Sequence, residues 1–180
     1  MPLRVFPVAQ GARYENDWGQ PRSGTKPNGE PRTHEGNDLF GPEGRPLLAV
    51  DDGMLSFGSD TFGGQIAVLK ANDRTKYYYA HLSRYEGTNR RVRAGDVIGY
   101  LGRTGNAITT APHLHFQMHP GDGAPVNPFP HLRRAEIRRA GQAEGGSLFW
   151  PVLIATSLGV GLWAYTSPNE ARALLRKVTG

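Results

Sequence analysis

Five short apolar runs, each closed off by Gly, Asp, Asn or Pro, dominate the middle of this chain: Leu47 to Val50, Gly64 to Lys70, Lys76 to Leu82, Asp96 to Leu101, and His113 to His119. Runs of this length suit strands and are too short for packed helices. No stretch before residue 131 keeps a 3.6-residue apolar period, so residues 1–131 read as one compact domain of antiparallel β-meanders. The punctuation shows in the composition, with 24 Gly and 14 Pro among 180 residues. A hydrophobic content of 38% still supplies a core and excludes wholesale disorder. From Pro21 to Pro42 the sequence is polar and rich in Gly and Pro, the composition of a long surface loop of the kind that carries function on a rigid scaffold.

The formal charge of +5 is unevenly placed. Residues 1–130 are nearly neutral and the excess of Lys and Arg lies in residues 131–180, so no nucleic-acid footprint is expected on the main domain. Residues 132–147 read as a basic, helical linker ending in a Gly-containing hinge. Leu148 to Tyr165 (LFWPVLIATSLGVGLWAY) carries no charge, a length that just crosses a bilayer core. Trp150, Trp163 and Tyr165 lie near its ends, where amphipathic rings favour the headgroup level. A C-terminal transmembrane helix over 148–165 is therefore predicted, followed by a short basic tail over 166–180. The first eleven residues hold no apolar run of signal-peptide length, so no cleavable secretion signal is expected.

The chain has no Cys, which rules out disulfides and thiolate ligands and leaves any metal to imidazoles and carboxylates. Its six histidines are at 34, 81, 113, 115, 119 and 131. His34 precedes Asp38 by four residues. In His113-Leu-His115-Phe-Gln-Met-His119 the imidazoles alternate with apolar residues, so on a strand His113, His115, Gln117 and His119 share one face and Leu114, Phe116 and Met118 the other. Imidazole and carboxylate ligands with an open fourth position suit catalytic Zn²⁺. An unligated histidine beside such a site can accept a proton or hydrogen-bond a developing oxyanion. His81 ends the run Tyr77-Tyr-Tyr-Ala-His-Leu82, and alone it reads as an ordinary strand-end histidine.

HEGND, then YYYAHLS, then GDVIGYLGRTGNA followed by APHLHF, in that order, resembles the lysostaphin-type zinc endopeptidases, which cut peptide cross-links of bacterial cell walls. The likeness extends upstream to Asp17-Trp-Gly-Gln-Pro-Arg22 and downstream to Pro125-Val-Asn-Pro-Phe129, covering residues 12 to 132. It implies a mainly β, compact antiparallel fold of the duplicated-hybrid-motif, barrel-sandwich-like kind, with a metal at the floor of a groove walled by loops. It further implies one Zn²⁺ held by His34, Asp38 and His115, with His113 as general base toward the attacking water and His81 polarising or holding the carbonyl oxygen. The substrate implied is bacterial peptidoglycan. Asn37 stands where an apolar residue is more usual, and the stretch Ser23 to Thr33 is longer than a minimal connection.

These expectations describe a peptidoglycan endopeptidase anchored in a membrane by its C-terminal helix, its catalytic domain facing the cell wall. A phage lysin carried on a virion or released on lysis is the alternative placement. A non-hydrolytic or autoinhibited activator module, its groove covered by the Ser23 to Thr33 loop, is the alternative function.

Overall fold

Strands β6 (Gly64–Ala71) and β7 (Lys76–Tyr85) show how the alternating pattern becomes a hairpin. Between them Arg74 stands at a φ of +68°, its N–H donates to the Ala71 carbonyl, and the Asp73 carboxylate accepts the Thr75 N–H at 2.8 Å. Short polar side chains that hold such a turn locally are the reason Asn and Asp punctuate the sequence.

Around this hairpin the computed structural model, which describes residues 3–25 and 29–136 and the strand backbone of 150–154 and 162–166, builds an antiparallel sheet. Its order is β3 (Asn37–Phe40), β10 (His113–His119), β7, β6, β5 (Gly53–Asp60) and β8 (Arg90–Val92). Strand β9 (Val97–Leu101) also pairs with β7 and carries β4 (Pro46–Leu48) on its far side. A separate two-stranded ribbon joins β1 (Pro21–Thr25) to β2 (Pro31–Thr33).

The period of two divides the sheet into two faces. Leu39 of β3, Leu114, Phe116 and Met118 of β10, Tyr77 and Tyr79 of β7, and Leu69 of β6 are all buried in one core. Tyr79 and Phe116 meet edge to face at 5.2 Å, and the Tyr79 hydroxyl donates to Leu48 O while accepting Val50 N–H. The other face carries Asp38, His113, His115 and Gln117. The apolar half of each strand is thus spent on holding the polar half in register.

Three stretches differ from the sequence reading. The polar span from Pro21 to Pro42 is not a loop throughout, since it holds β1, β2 and β3. The ribbon β1–β2 is largely exposed on both faces, so no alternation marks it, and β3 is too short to show a period. Strand β5 was hidden by Gly53, Gly58 and Asp60, yet it pairs with β6 along its whole length. Finally, residues 129–136 are helical and bring Leu132 and Ala135 into the core, so the core continues past residue 131.

The rest of the basic segment, from residue 137 to 147, lies outside the described residues. Within the predicted transmembrane helix the described residues are extended instead: β11 (Trp150–Ile154) pairs antiparallel with β12 (Leu162–Thr166). Residues 148, 149 and 155–161 lie outside the described residues. An apolar run without periodicity does not distinguish helix from strand, and Trp, Val, Ile and Tyr favour strands. Among the described residues no helix is long and apolar enough to cross a membrane.

Candidate metal centre

The pairing of β3 with β10 makes the site. Asp38 stands directly opposite His115, and Phe40 opposite His113, so the side chains of each pair project from the same face. His34 precedes β3 and is pinned by its own backbone, its N–H donating to Gln20 O and its carbonyl accepting Gly19 N–H. Gly36 lets the chain pass close to β10. A Cβ there would lie 2.5 Å from Phe116 O and 2.8 Å from His115 Cε1. Gly36→Ala is expected to force β3 away from β10 and to cost about 1–3 kcal/mol of stability, as overpacking does, measured by denaturant unfolding.

Three ligand-type atoms converge. His34 Nε2 lies 2.8 Å from His115 Nδ1 and 3.1 Å from Asp38 Oδ1, and His115 Nδ1 lies 3.0 Å from the same Asp38 oxygen. Ligands around a tetrahedral zinc-sized ion with bonds near 2.0–2.1 Å stand about 3.3 Å apart, so the triangle needs to widen by only a few tenths of an ångström. These residues, His34, Asp38 and His115, are a group of the composition and spacing that could hold a metal ion.

The surroundings set their protonation. The Nδ1 of His34 is 3.0 Å from Asp17 O and 3.1 Å from Asp17 Oδ2. Both are acceptors, so Nδ1 keeps a proton in either charge state, while Nε2 faces the triangle and would have to release any proton of its own to take a metal. His34 is nearly fully buried. Burial alone would lower its pKa, but the hydrogen bonds with Asp17 and Asp38 outweigh it and raise the value to about 9. Burial likewise opposes ionisation of Asp38, yet His115 and His34 hold it well below the usual carboxylate range. For His115 burial prevails and the pKa falls.

Asp17, Asn37 and Arg22 brace this set. Asn37 is fully buried and its Nδ2 donates to Asp17 Oδ1 at 2.5 Å and to Glu15 O. Arg22 donates to the outer oxygen of Asp38 at 2.8 Å, which leaves the inner oxygen for the triangle. The sequence reading placed Asp17 and Arg22 within the family likeness and noted Asn37 as a departure, but assigned none of them a role. Their side chains come from different segments, and nothing in the local spacing joins them.

The remaining two expected histidines stand beside the triangle. His113 Nδ1 donates to Ala111 O at 2.9 Å, its ring leans on Phe40 at 5.1 Å, and its Nε2 lies 3.9 Å from Asp38 Oδ1. His81 Nδ1 donates to Thr104 O at 2.9 Å, and its ring meets that of His113 edge to face at 4.8 Å. Burial, reinforced by the neighbouring His113, lowers its pKa to about 4. Both rings are thereby held with Nδ1 as donor and Nε2 as the free acceptor. His81 has a φ of +67°, an unusual conformation for a non-glycine residue and one that gathers at functional sites. It sits where the β6 and β7 register shifts, so the strand is bent to aim this side chain.

Residues 32–128 match the family described as Peptidase family M23. The chain is 38% identical over 98 residues to the DD-carboxypeptidase/endopeptidase Mpg of Neisseria meningitidis, covering 54% of this chain and 22% of that protein. It is 32% identical over 143 residues to the L-Ala--D-Glu endopeptidase of Bacillus subtilis, covering 73% and 43%. The chain thus spans less than half the length of these curated relatives. Among solved structures, the catalytic domain of lysostaphin from Staphylococcus simulans superposes with a TM-score of 0.58 at 32% identity, covering 68% of this chain and 92% of that domain. With the matched region enclosing His34, Asp38, His81, His113 and His115, the chain belongs to peptidase family M23.

Proposed function

We propose that this chain is a zinc-dependent endopeptidase that hydrolyses peptide bonds of bacterial peptidoglycan. The observation that carries this reading is the converging triangle of His34 Nε2, Asp38 Oδ1 and His115 Nδ1, two nitrogens and one oxygen drawn to a common point. Relatives bear the names DD-carboxypeptidase/endopeptidase and L-Ala--D-Glu endopeptidase, which supports a peptide substrate. One Zn²⁺ held by these three residues would supply a Lewis acid for the scissile carbonyl and activate a water at neutral pH.

The chain's own groups do the rest. Asp17 holds His34 in the tautomer that presents Nε2, and Arg22 turns one oxygen of Asp38 inward. His113, with Nδ1 tied to Ala111 O, offers Nε2 to take the proton of the attacking water. His81 starts neutral, its Nδ1 tied to Thr104 O, so it donates to the carbonyl oxygen only once a proton has reached its Nε2. Its ring lies 4.8 Å from that of His113, so both histidines stand beside the same triangle.

Membrane association through the uncharged segment 148–165 belongs to the same reading, with the catalytic domain facing the wall. Fractionation of cells making the full chain, against a version truncated before residue 148, tests it. A membrane-bound full chain and a released truncation are expected. For the activity, purified sacculi digested with the full chain and analysed by mass spectrometry are expected to yield fragments with new peptide termini. Intact peptides, or new reducing ends of glycan alone, would sink the endopeptidase reading.

A further inference from the structure

We propose that Arg13 and Arg45 form a subsite for a peptide carboxylate at the β3 edge of the groove, which rests on the peptidase reading and narrows its substrate class. The sheet itself lays the path. Arg13 and Phe40 exchange both backbone hydrogen bonds at 2.9 Å, and Phe40 is in turn the cross-strand partner of His113. His113, Phe40 and Arg13 therefore form one row on the site face of the sheet. The side chains confirm the row: the His113 and Phe40 rings are 5.1 Å apart, and the Arg13 guanidinium lies 5.2 Å from the centre of the Phe40 ring.

Where the row ends there is a cleft of about 530 Å³, lined among others by Arg13, Phe40, Pro42, Arg45 and Pro112. Arg45 donates one N–H to Gly11 O at 2.7 Å, which fixes its stem and leaves further donors of the fork. Neither guanidinium has a carboxylate partner among the described residues, in contrast to Arg22, which is paired with Asp38 in the metal triangle. The acid that does line the cleft, Glu136, is already engaged by the Tyr14 hydroxyl and Arg133. Two guanidinium forks without a carboxylate partner, in a concave site whose lining residues Phe40 and Pro112 adjoin His113 across the sheet and along the chain, are matched by a planar anion.

Two strand spacings separate Arg13 from His113, about 10 Å. An extended peptide covers that distance in about three residues. The carboxylate recognised is therefore a chain terminus or an acidic side chain within about three residues of the bond that is cut.

The test uses the full chain and two substrates: untreated sacculi, and sacculi whose carboxylates have been amidated with carbodiimide and ammonia. Wild type is expected to prefer untreated sacculi by roughly tenfold in KM with kcat unchanged, the scale of one exposed charge-assisted pair. Arg13→Gln and Arg45→Gln are expected to lose the preference and to match wild type on amidated sacculi. Equal cleavage of both substrates by wild type, or a preference that survives both substitutions, overturns the subsite. Independently of turnover, the Arg13 and Arg45 side-chain N–H signals are followed by NMR while an L-Ala-D-Glu peptide is added. Each carboxylate is amidated in turn, and the amide that abolishes the shift names the terminus or the side chain. Shifts of both arginine signals are expected, and their absence with the unmodified peptide overturns the subsite even if no sacculus is cleaved. A failure of cleavage alone would instead count against the peptidase reading.

Discussion

Replacing His115 by alanine is expected to empty the metal centre and to abolish peptide hydrolysis. His115 sits at the join of β10 and β3, opposite Asp38, and contributes one corner of a triangle whose sides are 2.8 to 3.1 Å. Two remaining ligands hold a zinc ion poorly, because catalytic sites of this type use three protein ligands and an open position. Zinc per chain, measured by atomic spectroscopy after dialysis, is expected to fall from about one to near zero, given the affinity that depends on a full ligand set. The fold should persist, since His115 projects away from the core that Leu114, Phe116 and Met118 form. Circular dichroism of the variant checks that. Zinc retained at full stoichiometry would show that the metal is bound elsewhere.

His113→Ala is expected to behave oppositely, retaining zinc and losing turnover. Its Nε2 is free because Nδ1 is committed to Ala111 O, and it is positioned beside the triangle without being one of its corners. Loss of a general base typically lowers the rate by about 10²- to 10⁴-fold. The loss should appear in kcat with little change in KM, since a base acts in the transition state and contributes little to ground-state binding. Hydrolysis near the wild-type rate would remove His113 from the reaction and leave His81 as the base. That substitution is informative because the two rings are in contact at 4.8 Å and both present Nε2.

How far the sequence could be read follows from where the physical signal lies. The alternation in His113 to His119 is a property of consecutive residues, and the strand formed as expected with its apolar side in the core. The same holds for β6, β7 and β9, whose runs are long enough to show a pattern. The ribbon β1–β2 carried no such signal because it is exposed on both sides, and a strand with no buried face has no reason to alternate. The site histidines and Asp38 were named from the family likeness, and the structure brings His34, Asp38 and His115 to within contact of each other.

Asp17, Arg22 and Asn37 were beyond sequence reasoning for a different cause. Their hydrogen bonds join residues 16 to 22 positions apart and on other segments, so only the folded backbone pairs them. The row from His113 through Phe40 to Arg13 is likewise a product of three segments lying side by side. The C-terminal run shows the converse. Residues 148–165 offered hydrophobicity without period, and hydrophobicity alone did not decide between a helix and the paired strands seen over 150–154 and 162–166.

The most direct test of the central claim is digestion of purified sacculi by the full chain, before and after a chelator, with zinc then restored. Release of peptide fragments that stops with the chelator and returns with zinc is the expected result. Digestion unaffected by a chelator that has removed all bound metal would contradict it.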